Sequence, residues 1–288
     1  MDKKFLKNIT VIIILYKTPL NQLSKLSQYK NFKIILLDQC GTSSSKMNIK
    51  KFIESDFDYY STKKNLGLSK AANFLLSKVR TKFCLFTQMD VAIDSYSVFL
   101  LQLSLLKKNS YIFAGPKYLK KLDMKINLLS KFSLPERIKI KKVKSIDASC
   151  FLFNVEKVRE IGFFDEDFFL YWEDIFLMKK INKTKYEIIY VDKAVAVHEI
   201  GRSTEINYKI ILVRNMNFKF GEYLFDYKMS QFRFIKILRN IIKLPFFIIF
   251  FLLTSQFLKS YIKLSEFLGT IKFINFYLSN NKIKKLDV

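Results

Sequence analysis

Within GFFDEDFFLYWEDIFLMKK (162–180), five of the ten residues from Asp165 to Asp174 are acidic, in a chain whose formal net charge is +25. Large aromatic side chains lie between them. A carboxylate whose neighbours exclude water has its pKa raised, and such a group can take a proton from a hydroxyl at neutral pH. There is also an architectural reading, because acids favour a helix N-terminus and a helix begins near Glu173. Both hold if Asp165 and Asp167 are structural and Asp174 is chemical.

Other polar groups recur directly after short apolar runs. Tyr16 and Lys17 follow ITVIIIL (9–15), and Asp38 ends FKIILLD (32–38). Asn65, Gly67 and Asn73 lie in NLGLSKAAN, after FDYYS (57–61), and Asp90 comes directly after KFCLFT and Gln88-Met89. An Asp after a strand is commonly a turn or helix-cap residue. Four such positions in succession instead describe one polar cleft. His198, the only histidine, follows the run YEIIYVDKAVAV. Alone it reads as a surface or core residue; with Asp90 it completes an oxygen/imidazole pair of the type that suits Mn²⁺ or Mg²⁺. Two protein ligands leave positions open for a diphosphate.

The elements that must hold these groups alternate. Apolar runs of strand length are separated by helical patterns from Pro19, over 68–79 and near 95–108. YIFAG (111–115) and SIDASCFLFN (145–154) add further strand character. This predicts an α/β fold with a mainly parallel sheet flanked by helices, in which ligands bind at the carboxyl ends of the strands. Residues 117–144, with ten Lys/Arg against two acids, read as a basic surface excursion. After Arg202 the strands stop and Phe/Ile/Leu/Lys-rich helical stretches run to the end. The expected division is a domain over 1–202 and a helical, basic and apolar region over 203–288.

At 288 residues, half of them hydrophobic, the chain can bury a sizeable core. Its positive field favours polyanionic partners, although a Lys/Ile/Asn/Phe bias is partly compositional. Cys40, Cys84 and Cys150 have neither metal-type spacing nor a disulfide framework, which suits a reducing cytoplasm. MDKKFLKNITVIIILYK reads as a buried strand rather than a signal peptide.

TVIIILYK, IILLDQCGTS, NLGLSKAANF, QMD, GFFDEDFFLYWEDIFL and VHEIGRS resemble, in order and spacing, family 2 glycosyltransferases, and most closely the rhamnosyltransferase-like branch that builds bacterial surface polysaccharides. The likeness covers roughly 8–220. It implies a GT-A, Rossmann-like fold and inverting hexosyl transfer from a nucleotide-diphosphate sugar, with a dTDP- or UDP-sugar favoured. The acceptor implied is a lipid-linked glycan. By that resemblance Asp38 contacts the nucleotide base and Tyr16 belongs with it at the donor. Asn65 and Gly67 lie near the nucleotide sugar, and Asp90 holds the divalent cation with His198 near it. Asp174 is the catalytic base beside Glu173, and Tyr171 and Trp172, whose flat rings stack on sugar faces, meet the acceptor. The DxD-type motif is here Gln88-Met89-Asp90, keeping its last acid. The second acid of the EDxDL pattern is Phe176, a change that removes a helix-cap or arginine partner.

The tail QFRFIKILRNIIKLPFFIIFFLLTSQFLK (231–259) contains an apolar part, Leu244–Leu258, of fifteen residues. As a helix it spans about 22 Å against a hydrocarbon core of about 30 Å. From Lys228 onward there are eleven basic residues and two acidic ones. The pattern predicts an interfacial helix on an anionic membrane surface, and with it a cytoplasmic protein peripheral on the inner face of the cytoplasmic membrane. A buried helix and a short spanning segment are the alternatives. Nucleic-acid binding, which the charge invites, lacks a helix-turn-helix, zinc or RNA-binding signature. A nucleotidyltransferase would need a glycine- and base-rich loop where this chain has YKTPLNQ. A catalytically impaired scaffold of the same fold rests on Gln88 alone.

Overall fold

The computed structural model describes residues 6–41, 49–53, 57–119, 138–201, 204 and 206–286, with side chains to 279. Much of the basic excursion and of the polar stretch after Gly41 lies outside the described residues. The chain divides into two compact units. Met1–Asp165 and Leu177–Glu205 form the first, and Glu166–Phe176 and Ile206–Val288 the second. The acidic, aromatic segment, inside the stretch assigned above to the first domain, therefore groups with the helical region.

In the first unit the elements run β1 (Ile9–Tyr16), α1 (Leu20–Leu23) continuing as a 3₁₀ turn to Tyr29, β2 (Lys33–Gln39), β3 (Phe57–Thr62), α2 (Gly67–Lys78) and β4 (Phe83–Thr87). They continue with β5 (Val91–Ile93), α3 (Ser95–Leu106), β6 (Tyr111–Tyr118), β7 (Ile140–Val143), β8 (Cys150–Asn154) and α4 (Val155–Ile161). After α5 (Glu173–Ile181), which begins among second-unit residues, β9 (Glu187–His198) ends the sheet. The strand order is β3-β2-β1-β4-β8-β6-β9-β5, with β7 also paired to β9.

The half containing β3, β2, β1 and β4 is parallel throughout. In the other half β8 runs antiparallel to both β4 and β6, β6 and β9 are parallel, and β5 and β7 are antiparallel to β9. The sheet is mixed, and periodicity alone cannot see the reversal, because a strand buried on both faces has the same apolar pattern in either direction.

Both faces are covered, and the period-2 geometry of β1 and β2 explains why they carry continuous apolar runs. Val11, Ile13, Leu15, Ile34 and Leu36 face one core with Val98, Leu101 and Leu105 of α3. Ile12, Ile35 and Leu37 face the other with Ala71, Ala72 and Leu75 of α2. Truncating a fully buried Ile12 to Ala costs about 2–5 kcal/mol. Many of the phenylalanines sit on the second face, where the rings of Phe86, Phe113, Phe151, Phe153 and Phe163 touch in edge-on and tilted pairs.

The second unit contains α6 (Tyr208–Lys228), α7 (Phe234–Leu253) and α8 (Phe257–Leu286). Phe168 from the acidic segment is buried with Phe220, Tyr223, Leu224, Ile237 and Phe273. The apolar tail is not one helix. α7 ends at Leu253, residues 254–256 turn, and α8 starts at Phe257. Among the described residues no helix is long and apolar enough to cross a membrane.

Candidate active site

The carboxyl edge of the parallel strands carries the groups expected there. Tyr16 ends β1; its N–H donates to Thr18 Oγ1 at 3.3 Å and its carbonyl accepts from Thr204 Oγ1 at 3.2 Å. Lys17 follows with φ 48°, in the left-handed region that side chains avoid.

On β2, Asp38 is buried and accepts from the Tyr59 phenol at 2.8 Å. Burial first, and then Asp38, hold the Tyr59 phenol far above its ordinary pKa, so it remains a donor. Gly41 passes close over this pair: a Cβ there would lie 3.0 Å from Asp38 Oδ2 and 3.0 Å from Ser61 Cβ. Gln39 Oε1 accepts from the Leu66 N–H at 2.6 Å, which ties β2 to the entrance of α2. There Asn65 Oδ1 accepts from the Gly67 N–H at 2.9 Å, an Asx turn. Gly67 has φ 80°, which favours glycine. Asn73, one of the strand-end group, does a different job: its amide bonds the Phe164 backbone in both directions, at 2.9 and 3.2 Å.

Asp90 and His198 are brought together by the β5–β9 pairing, which places His198 opposite Val91. The Asp90 carbonyl accepts from the Glu199 N–H at 2.8 Å. His198 Nε2 lies 3.6 Å from Asp90 Oδ2, and its Nδ1 lies 3.8 Å from Asp147 Oδ2. Asp147, which no motif in the sequence marks, is thus the second carboxylate on the imidazole. Its Oδ1 accepts from the Ser149 N–H at 2.8 Å. Ser149 in turn bonds Tyr118 Oη at 2.8 Å, and the Tyr118 ring lies 6.0 Å from the imidazole. Asp147 and then Asp90 push the His198 pKa up to about 9, against partial burial. Burial opposes ionisation of Asp147, but His198 and Ser149 outweigh it and hold its carboxyl below the usual range. At neutral pH the arrangement is an imidazolium between two aspartates.

Glu166–Phe176 packs within the second unit. The Trp172 indole N–H donates to the Phe218 carbonyl at 3.0 Å, and its ring lies 5.3 Å from Phe225. Gly221 makes room: a Cβ there would lie 2.8 Å from Trp172 Cδ1 and 3.1 Å from the Tyr171 carbonyl. Tyr171 and Trp172 have φ 69° and 72°. Two consecutive side-chain-bearing residues in the left-handed region cost about 1–2 kcal/mol each. Such strain recurs at functional sites. The Tyr171 ring lies 5.7 Å from Phe218.

The turn leads straight into α5, whose first residues are Glu173 and Asp174 and whose last turn holds Lys179 and Lys180, matching the helix dipole at both ends. The carboxyl shielded from water is that of Glu173. It is buried, and its Oε2 has no hydrogen-bond partner among the described residues. Burial first, then the Asp174 charge, raise its pKa to about 8. Asp174 is half-exposed, and its Oδ1 accepts from the Ile175 N–H at 2.8 Å. Near neutral pH, then, Glu173 carries a proton and cannot accept another. Phe176 packs on Phe168 at 5.3 Å and edge-on to Phe225, so the position of the pattern's second acid is here part of an aromatic core.

Comparison with known proteins gives a consistent family. The family model described as glycosyl transferase family 2 matches residues 12–162, more than half of the chain. A search of curated protein sequences finds no match. Among solved structures, the mannosyltransferase PcManGT from Pyrobaculum calidifontis, in complex with GDP-Man and Mn²⁺, superposes with a TM-score of 0.53 at 16% identity over 77% of this chain and 66% of that one. GalNAc-T7 with UDP, GalNAc and Mn²⁺ gives 0.52 at 11% identity over 76% of this chain and 48% of that one. The 1–349 portion of S. aureus TarS gives 0.50 at 14% identity over 94% and 91%. This chain thus spans about half of the GalNAc-T7 chain and under two thirds of PcManGT. The neighbours share the GT-A architecture, and the sequence match carries the assignment: the chain belongs to glycosyl transferase family 2.

Proposed function

We propose that this protein transfers a hexosyl unit, with inversion, from a nucleotide-diphosphate sugar to a lipid-linked glycan during surface-polysaccharide synthesis, in the manner of the rhamnosyltransferase-like branch. A dTDP- or UDP-sugar is the favoured donor. The reaction takes place at the inner face of the cytoplasmic membrane. The observation that carries this reading is the grouping of Asp38, Asn65, Gly67, Asp90 and His198 at the carboxyl edge of one sheet. Asp38, oriented by Tyr59, accepts from the nucleotide base, and Tyr16 flanks it. Gly67 lets the backbone approach the nucleotide sugar beside Asn65.

Asp90 and His198 are the residues that would hold a divalent cation, Mn²⁺ or Mg²⁺. The donor set fits such an ion in type, one carboxylate oxygen and one imidazole nitrogen. Among the described residues no group of three such side chains could hold a metal by itself, so the donor's diphosphate would have to supply further ligands. When bound, the ion neutralises charge on the departing diphosphate. Binding requires the imidazolium to release its proton.

Inversion needs a base that takes the acceptor hydroxyl's proton as the oxygen attacks the anomeric carbon. Asp174 is that base. Buried Glu173 holds its own proton in reserve, and Tyr171 and Trp172 contact the acceptor sugar. A thermal-shift screen of UDP-, dTDP- and GDP-sugars with Mn²⁺ or Mg²⁺ tests the donor half, since a ligand that binds only the folded state raises the melting temperature. No change in melting temperature with any of them would sink the reading.

A further inference from the structure

The α7 helix leaves a long apolar stripe uncovered. Ile235, Leu238, Ile242, Phe246, Ile249 and Leu253 follow the three- and four-residue spacing that keeps side chains on one helix face, and all are exposed; Ile235 is 67%, Ile242 69% and Leu253 81% accessible. The opposite side, through Ile237 and Leu244, is buried. Beyond Leu253 the turn to α8 is itself flanked by exposed Leu252, Phe257 and Leu258. α7 and α8 pack against each other, and Ser260 Oγ donates to the Ile248 carbonyl at 2.9 Å. The element is a helical hairpin with an apolar corner, where water-exposed turns are ordinarily polar.

Its charge says what covers it. No acidic residue occurs from Met229 to Lys259. Lys236 is used inside the unit, at 2.9 Å from Glu222 and 2.6 Å from Asp226. Arg239 and Lys243 are exposed, and they stand about 60° and about 100° round the helix from Ile242, on one flank of the stripe. A second copy of the chain meeting this face with the same face would set arginine and lysine against their own kind, with no acid in 229–259 to relieve them. A bilayer with anionic headgroups answers both features at once.

We propose that the α7 stripe and the α7–α8 corner insert into the boundary between headgroups and acyl chains of an anionic bilayer, with Arg239 and Lys243 reaching the headgroups along one side. Insertion of such a face reaches about 5–10 Å. This deepens the membrane placement in the proposed function, but it does not depend on sugar chemistry. The test therefore uses no nucleotide sugar, and its failure leaves the donor screen standing on its own.

Full-length protein is sedimented with phosphatidylcholine vesicles, with and without phosphatidylglycerol, at low and high salt. Strong binding is expected to phosphatidylglycerol vesicles at low salt, with a weaker part that salt does not remove. Each exposed cation contributes a factor of about five near an anionic surface, so Arg239→Gln with Lys243→Gln should weaken low-salt binding about 25-fold. Ile242→Ser with Phe246→Ser should remove the salt-resistant part. Leu253→Trp, a change at an exposed site, should move to shorter-wavelength emission on binding and be quenched by brominated lipid. Protein that stays in the supernatant at low salt overturns the proposal. So does binding without quenching, which is charge attraction alone, or a stripe that instead holds two copies together in sedimentation velocity.

Discussion

Replacing Glu173 with Gln keeps the shape of the side chain and removes a charge that the fold disfavours. Burial, reinforced by Asp174, raises the Glu173 carboxyl from 4.5 to about 8. Between those values the folded protein holds a proton that the unfolded chain has released. Because the folded value is the higher one, the associated stability is fully present below the unfolded value and is lost as pH rises through about 8. Each pH step of one between the two values removes about 1.36 kcal/mol, so the loss from about pH 5 to about pH 8 comes to roughly 3–4 kcal/mol. That is a large share of a total stability of about 5–15 kcal/mol. Gln cannot ionise, so the unfolding free energy of Glu173→Gln minus that of the wild type should grow by about that amount across the window. Trp172, the only tryptophan, is the adjacent residue, and its emission during urea unfolding reports on this segment. Other titrating groups cancel in the difference. A difference that changes by less than about 1 kcal/mol from acid to alkaline pH would refute the reasoning, because Glu173 would then be ionised in the fold.

Asp174→Asn should lower turnover by about 10²–10⁴-fold while donor binding persists in a thermal melt; a variant near wild type would move the base elsewhere. Asp90→Ala should abolish metal-dependent donor stabilisation, and His198→Ala should weaken it less. Activity that survives EDTA unchanged would contradict the metal's part and leave Lys/Arg groups to meet the diphosphate. Because the His198 pKa stands at about 9, Mn²⁺ affinity read by calorimetry should rise with pH below that value, by up to about tenfold per pH unit; a flat profile would mean that His198 is not a ligand. Gly221→Ala should lower the melting temperature and alter Trp172 emission, since its Cβ would lie 2.8 Å from the indole; an unchanged spectrum would contradict that packing.

Much of the first unit was legible in the sequence because β1, β2 and β4 are buried on both faces, and such strands advertise themselves as continuous apolar runs. Asp38, Asp90 and His198 were visible for the same reason, each standing at the end of a run. Asp147 was not. It precedes β8, and looking only after strands assumes that every strand is parallel. β8 is antiparallel to β4 with Cys150 opposite Thr87, so the residues before it lie at the same edge as those after β4. Tyr59 was hidden inside a strand, and only the β2–β3 pairing shows that it serves Asp38. The shielded carboxyl was expected to be the base, whereas burial falls on Glu173 and leaves Asp174 half-exposed. Adjacent residues on a helix point about 100° apart, and composition cannot tell which of the two turns inward. The tail was read as one apolar stretch because Thr254, Ser255 and Gln256 interrupt it only briefly. In the structure those residues are the turn of the hairpin.

The central claim is inverting transfer from a nucleotide sugar, and product analysis reaches it most directly. Full-length protein, a lipid-linked acceptor, Mn²⁺ and the nucleotide sugar that raises the melting temperature most are combined. Nucleoside diphosphate release is followed together with the anomeric configuration of the new linkage by NMR. Diphosphate should appear only with acceptor present, the new linkage should have the configuration opposite to that of the donor, and both signals should collapse in Asp174→Asn. A retained configuration, or no nucleoside diphosphate from any UDP-, dTDP- or GDP-sugar with a lipid-linked acceptor, would contradict the account.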